Sequence, residues 1–158
     1  MASFFSFPNP VNDVAARSVA SGVVVVAAVA LGTHQLWLTI PLAYGFIARV
    51  ACGPRFSPLG LIATRIIAPK LGAHAKLVPG PPKRFAQAMG ATFTLAALLA
   101  WTLGSDLGAE VLLALLIVPA VFEAAFGLCV GCKIFALGIR SGLVPEDVCV
   151  ECVELYGP

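Results

Sequence analysis

Charged side chains are scarce in this sequence. Of its 158 residues, 11% are Asp, Glu, Lys or Arg, whereas 59% are hydrophobic. A soluble globular domain carries roughly 25% charged residues, so this chain lacks the polar surface that a soluble globule needs. The formal net charge of +2 is small, and no basic stripe interleaved with aromatic residues is present, which argues against nucleic-acid binding.

The motifs of several common enzyme classes are also missing. The sequence contains no glycine-rich phosphate-binding loop, no G-x-S-x-G nucleophile elbow and no H-E-x-x-H zinc motif. Its two histidines, His34 and His74, have no neighbour at metal-binding spacing. Nucleotide hydrolysis and hydrolase chemistry therefore find no support in the sequence.

The chain does contain long apolar segments. Four apolar segments cover approximately residues 14–31, 36–50, 85–103, and from 111 to beyond 128. The hydrocarbon core of a bilayer is crossed by about 20 helical residues. The first, third and fourth segments meet this length, while the second is short and contains Pro41. The membrane is therefore the environment in which this composition fits.

The connection between the second and third segments has a helical pattern of its own. Leu59, Ile62, Ile66 and Ile67 recur at helical spacing with basic residues between them. Such a pattern is typical of a helix lying in the membrane interface. We therefore predict an all-α, polytopic membrane protein with four transmembrane helices plus an interfacial amphipathic segment between helices 2 and 3.

The positions of the basic residues predict the orientation. If the four segments span the membrane, all ten lie on the side of the two termini: Arg17, Arg49, Arg55, Arg65, Lys70, Lys76, Lys83, Arg84, Lys133 and Arg140. The opposite turns, residues 32–35 and 104–110, contain none. The positive-inside rule then places both termini in the cytoplasm, in a protein of the cytoplasmic (inner) membrane. We expect a transmembrane domain over 1–140 and a cytoplasmic CxxC-containing tail over 141–158.

Two CxxC pairs form the constellation that could carry chemistry. Cys129 and Cys132 follow the fourth apolar segment, and Cys149 and Cys152 lie in the tail, with sixteen residues between the pairs. If the fourth span continues as one helix, Cys129 lies at the cytoplasmic edge of the hydrocarbon. Lys133 beside Cys132 favours a thiolate there, so we expect the first pair to be the better nucleophile.

The cysteines have three interpretations. A structural disulfide is disfavoured because the cytoplasm keeps thiols reduced. A zinc site held by Cys129, Cys132, Cys149 and Cys152 fits the spacing of two CxxC pairs and the preference of zinc for thiolates. Thiol–disulfide or sulfane-sulfur exchange is the third interpretation, with Cys52 as an additional thiol on the same membrane face. We favour exchange, with no cofactor, and keep zinc as the alternative.

Glu123 is the second unusual residue, because it lies within the fourth apolar segment. An unpaired carboxylate in the membrane costs roughly 2.5–3.5 kcal/mol on insertion scales, so a partner is expected. Polar residues on the neighbouring spans are the candidates: Gln87, Thr92, Thr94, Arg49 and Arg65. Glu123 would act either as a proton relay beneath the cysteines or in a structural interhelical hydrogen bond. A small transporter subunit that uses Glu123 is a further alternative.

Several stretches carry a family resemblance. They are Pro8–Asn12, Pro54–Gly60, Lys83–Gly90 and Phe122–Lys133, the last with a Phe-Gly-x-Cys-x-Gly-Cys signature. In them the chain resembles the Domain of Unknown Function 4395 family of small bacterial, often actinobacterial, membrane proteins. The resemblance implies a polytopic membrane protein without an established activity. An association of relatives with thioredoxin-like or rhodanese-like domains would favour thiol or sulfur chemistry.

The sequence thus predicts a membrane-anchored thiol/disulfide or sulfane-sulfur exchange protein. Its expected partners are the lipid bilayer and a cytoplasmic thioredoxin-like or rhodanese-like protein, and no nucleic acid. The candidate functional residues are Cys129, Cys132, Cys149, Cys152 and Glu123.

Overall fold

The computed structural model describes residues 7–71, 76–145, 148–149 and 152, and these are predominantly helical. Four helical segments are long and apolar enough to cross a membrane: Asp13–Gly32, Leu36–Leu71, Gly80–Thr102 and Asp106–Phe126. They correspond to the four apolar segments of the sequence. The all-α, four-span prediction is confirmed, and the chain is a multi-pass membrane protein.

The elements follow one another in a simple order. They are β1 (Val11–Asn12), α1 (Asp13–Gly32), α2 (Thr39–Cys52), α3 (Pro58–Ile62), α4 (Ala68–Leu71), β2 (Leu77–Val78), α5 (Gly80–Thr102), α6 (Asp106–Phe126) and α7 (Val130–Arg140). A π-helical segment, Ala63–Ile67, joins α3 to α4. The two short strands pair in antiparallel fashion. This pairing holds the start of α1 beside the start of α5.

The core lies between the long helices. α1 packs mainly against α6, and α5 packs between α2 and α6. Alanines make up much of the buried interior, together with a few larger apolar side chains such as Val23, Phe46 and Leu113. The outer faces are apolar as well, with Val25, Leu99 and many similar side chains exposed. Such an all-round apolar surface suits helices that are surrounded by lipid.

The second span departs most from a regular helix. α2 has 14 residues, fewer than the about 20 needed to cross the hydrocarbon core. At Gly53, where φ is 69°, the chain turns back, and Leu59 packs against Gly22 near the middle of α1. The segment predicted to lie in the interface is helical, as expected. Its first turn, however, packs inside the helical bundle.

The bundle has two ends. The starts of α1 and α5 meet the ends of α2 and α6 at one end, which we call the cysteine side. The turns between α1 and α2 and between α5 and α6 lie at the other end, the hairpin side. There, His34 Nδ1 lies 2.6 Å from Glu110 Oε1 and links the turn after α1 to the start of α6. His74 lies outside the described residues.

Candidate functional site

A helix break precedes the first cysteine pair. α6 ends at Phe126, and Gly127 adopts a left-handed conformation with φ at 67°, its N–H donating to the carbonyl of Glu123 at 3.0 Å. Glycine takes this conformation without steric cost, which is why it terminates many helices. α7 then begins at Val130 and packs against α5. The expectation that the fourth span continues beyond Leu128 is therefore wrong.

The break places the first pair at the start of a helix. Cys129 is the N-cap of α7, and the backbone N–H of Cys132 donates to Cys129 Sγ at 3.3 Å. The two sulfurs form a disulfide within the motif. Both residues are buried, with 7% and 8% of their surface exposed. In the reduced form, the helix N-terminus would stabilise negative charge on the Cys129 sulfur.

The second pair packs on the same helix. Cys149 and Cys152 form a second disulfide and lie in a small apolar cluster with Phe135, partly covered by Ile139 and Val144. They are 5% and 1% exposed. α7 thus carries the first pair at its start and contacts the second pair through its apolar face.

The four cysteines form two separate pairs in this structure. Within the described ranges, no three or more His, Cys, Asp or Glu side chains converge in a metal-binding arrangement. Each disulfide closes a loop between residues only three apart in sequence. Because disulfide stabilisation grows with loop length, these bonds contribute little as structural cross-links. Cys52, at the end of α2, is a free and half-buried thiol.

Glu123 has a partner that the sequence did not indicate. Lys83 Nζ lies 2.5 Å from Glu123 Oε1 and 3.8 Å from Asp13 Oδ1. The candidate partners Gln87, Thr92 and Thr94 bond elsewhere: Gln87 accepts from Arg49, and the two threonines donate to carbonyls of their own helix.

Lys83 therefore joins the starts of α1 and α5 to the last turns of α6. Sequence reasoning placed this lysine among the cations that determine topology and missed its role in the interior. One signal could have revealed it. Lys83 and Glu123 are equally distant along the chain from Leu103 in the turn between α5 and α6. Residues so related lie opposite each other in an antiparallel helical hairpin.

Cys129 lies between two cavities that this ion pair also borders. A cavity of about 200 Å³ is lined by Cys129, Cys132, Lys83, Asp13 and Lys133, together with loop residues. A second cavity of about 60 Å³ is lined mainly by apolar side chains of the bundle and by Glu123 and Cys129. The first cysteine pair therefore shares its surroundings with two carboxylates and two ammonium groups, which is an arrangement suited to moving protons near sulfur.

Arg17 stabilises the end of α6 next to the cysteine motif. Arg17 donates to the carbonyls of Ala124 and Ala125 at distances of 2.9–3.3 Å, and so caps the end of α6. A cation at a helix C-terminus satisfies unpaired carbonyls and complements the helix dipole. The end of α6, and with it the position of the cysteine motif, is thereby tied to α1.

Comparison with known proteins identifies one family. No curated protein and no solved structure is detectably similar to this chain. A family model described as "Domain of unknown function (DUF4395)" matches residues 11–140. That range contains α1 to α7, the first cysteine pair and Glu123, and it ends before the second pair. The chain belongs to the DUF4395 family.

Proposed function

We propose that this protein is a membrane-anchored thiol protein that exchanges disulfides or sulfane sulfur through Cys129 and Cys132. The observation that carries the proposal is the position of this pair. It lies at the start of α7, with Cys129 as N-cap, and borders a cavity whose wall also contains Lys83 and Asp13. A helix N-terminus, a nearby cation and access from a cavity are the conditions that favour a reactive thiolate.

The exchange can be written with its electrons balanced. The Cys129 thiolate attacks one sulfur of a partner's disulfide, that bond breaks, and a mixed disulfide forms while the partner's second sulfur leaves as a thiolate. Cys132, once deprotonated, attacks Cys129 Sγ, which closes the intramotif disulfide and releases the partner's first sulfur. Two electrons pass to the partner, and its two thiolates take up the two protons that the cysteines lost.

Sulfane-sulfur transfer uses the same residues. A partner that carries a persulfide would pass its outer sulfur to the Cys129 thiolate, leaving the partner's cysteine as a thiolate and Cys129 as a persulfide. We assign Cys149 and Cys152 as a second redox pair that exchanges with the first. This second pair packs on Phe135, which lies about one turn along α7 from Cys132.

Glu123 and Lys83 are proposed as the proton-handling groups. Glu123 borders one cavity with Cys129, and Lys83 borders the other with both cysteines. Their hydrogen bond connects the two cavities, so a proton released at sulfur has a route through polar atoms in an otherwise apolar bundle. Their function is to position and move protons, while the sulfur chemistry stays on the cysteines.

The orientation follows from the distribution of basic residues. With the positive-inside rule, the cysteine side of the bundle faces the cytoplasm, and the protein lies in the cytoplasmic membrane with both termini inside. Thiol reductants act in that compartment. A cytoplasmic thioredoxin-like or rhodanese-like protein is therefore the partner we propose.

Trapping of a mixed disulfide tests the proposal. The protein is reconstituted in nanodiscs, reduced, and mixed with an oxidised thioredoxin-like protein. All variants are made in a Cys149→Ser/Cys152→Ser background, so that the second pair cannot resolve or form the complex. In it, Cys132→Ser should accumulate a covalent complex through Cys129, detected by non-reducing electrophoresis and mass spectrometry. Cys129→Ser should form none, whereas the matched control Cys52→Ser should exchange like the wild type. Exchange at wild-type rate in Cys129→Ser would refute the proposal.

Zinc is the alternative for the same cysteines. A zinc site built from four cysteines needs four thiolates around one ion, and the arrangement in two separate disulfides favours exchange instead.

A transporter subunit that uses Glu123 is the third candidate, supported by a carboxylate paired inside the bundle. It would be favoured if Glu123→Gln abolished the cellular function while the cysteine variants retained it.

A further inference from the structure

Arg49 is a buried cation without a complete set of partners. The residue is 4% exposed. Its Nε donates to Gln87 Oε1 at 2.7 Å and its Nη1 to Ser57 Oγ at 2.6 Å. Its guanidinium lies over the ring of Phe46, 4.6 Å from the centroid. All three neighbours are uncharged. Among the described residues, Arg49 Nη2 is buried and has no hydrogen-bond partner.

An orphaned donor of this kind indicates a missing partner. A buried polar group without a hydrogen bond costs about 1–3 kcal/mol, and more when the group is charged. In native structures, a buried polar group without a protein partner usually bonds to a water molecule or a ligand. Arg49 also belongs to the wall of a cavity of about 160 Å³. By comparison, roughly 10–15 Å³ is enough for one water molecule, so this cavity has room for a small ligand.

The polar residues in the cavity wall offer mostly donors. Gln87 and Lys83 line the cavity with Arg49, as do Asn12 and Thr64. The Gln87 carbonyl oxygen accepts from Arg49, and the Asn12 carbonyl oxygen accepts from the backbone at the start of α1. Within the part of the chain that the structure describes, neither amide NH₂ group donates a hydrogen bond, so both are left for a ligand. A ligand that accepts hydrogen bonds would match this wall.

The local charge balance also favours an anion. The charged side chains around this end of the bundle include Arg17, Arg49 and Lys83 against Asp13 and Glu123. Glu123 accepts a hydrogen bond from Lys83, which also lies 3.8 Å from Asp13. These three cations exceed the two carboxylates by one positive charge. Arg17 donates to backbone carbonyls at the end of α6, whereas Arg49 donates to uncharged side chains, so among the described residues no ion pair neutralises Arg49.

We propose that this cavity binds a phosphate-type oxyanion, either free phosphate or the head group of an anionic phospholipid. One anionic oxygen would accept from Arg49 Nη2, with Lys83 and the two amides as further donors. The remaining walls are largely apolar and include Val11, Val19 and Pro54. Thr64 reaches the cavity from the π-helical segment, a type of distortion that is frequent at functional sites. Nothing in this proposal depends on the thiol chemistry.

The test uses delipidated protein in detergent and two probes. Binding of inorganic phosphate is measured by titration calorimetry at constant ionic strength. Retention of phosphatidylglycerol against phosphatidylcholine is measured by native mass spectrometry after extraction from nanodiscs of mixed composition. Gln87→Glu is the principal variant, because it keeps the oxygen that accepts from Arg49 while adding a negative charge to the cavity. Arg49→Lys is the second variant, and Arg140→Gln, an exposed residue of α7, is the matched control.

The expected result is binding of at least one probe by the wild type. Affinity or retention should fall at least tenfold in Gln87→Glu and Arg49→Lys and remain unchanged in Arg140→Gln. Binding of phosphate alone would identify a free anion as the ligand, and selective retention of phosphatidylglycerol would identify a lipid head group. Absence of both in the wild type, or equal binding by Gln87→Glu and the wild type, would overturn the proposal.

Discussion

Lys83 Nζ lies 2.5 Å from Glu123 Oε1, and this bond joins the first turns of α5 to the last turns of α6. The lysine is 5% exposed, and Asp13 Oδ1 lies 3.8 Å away on the other side. A charge inside an apolar bundle is tolerable when it is paired. The pair therefore explains how a carboxylate and an ammonium group remain inside a bundle of membrane-spanning helices. It also brings both groups to cavities that Cys129 borders.

The first prediction concerns the stability of this pair. Glu123→Gln should destabilise the protein by about 3 kcal/mol, because removal of one partner leaves a buried, incompletely compensated charge. The Lys83→Met/Glu123→Gln double variant should recover much of the loss. Unfolding in mixed micelles measures both effects. The Lys83→Met single variant completes the cycle. If the stability loss in the double variant equalled the sum of the losses in the two single variants, the two side chains would not be coupled.

The two disulfides should differ in how easily they are reduced. The first pair borders a cavity of about 200 Å³, whereas the second lies in the cluster around Phe135. Under limiting reductant, Cys129 and Cys132 should become alkylated before Cys149 and Cys152, as read by differential labelling and mass spectrometry. Phe135→Ala should remove much of the difference by exposing the second pair. If Cys149 and Cys152 were reduced before Cys129 and Cys132 in the wild type, the predicted order of reduction would be wrong.

Gly131 should be required for the position of α7. A Cβ at this residue would lie 2.6 Å from Ala86 Cβ and 2.7 Å from Ala86 Cα, too close for the two helices to keep their distance. Gly131→Val should therefore increase hydrogen exchange across residues 130–140 severalfold. Gly32→Ala is the control, because a Cβ there would meet nothing within 4 Å. Unchanged exchange in Gly131→Val would mean that α7 is not docked on α5.

Metal analysis separates exchange from the zinc alternative. We expect protein purified without chelator to contain much less than one zinc per chain. The Cys129→Ser/Cys149→Ser variant should match it, since the proposed chemistry needs no metal. One zinc per chain in the wild type, lost in the variant, would instead identify a four-cysteine zinc site and exclude the exchange mechanism.

The membrane orientation can be tested with single introduced thiols. In a background in which all five cysteines are replaced by serine, Thr33→Cys on the hairpin side should react with a membrane-impermeant maleimide in intact cells. Ser141→Cys, just after α7, should react only once the membrane is permeabilised. Both positions are exposed in the structure. The reverse pattern would invert the topology and place the cysteine pairs outside the cytoplasm.

Much of this architecture can be predicted from the primary structure. Hydropathy locates the four spans because each needs only a local run of apolar residues. The two CxxC pairs are likewise evident from spacing alone, and the distribution of the ten basic residues predicts a topology. The break at Gly127 was harder to predict. A glycine flanked by apolar residues is compatible with either a continuing helix or a left-handed cap, and the packing of α7 against α5 decides between them.

The partners of the buried charges depended on the tertiary structure. Glu123 bonds Lys83 rather than Gln87 because the register of the hairpin and the rotation of each helix about its axis determine which side chains face each other. Arg49 is buried because the chain reverses at Gly53 and brings Ser57 beside it. Neither rotation nor reversal is encoded by a local pattern. Composition established that the protein lies in a membrane, and helix packing decided which polar groups meet inside it.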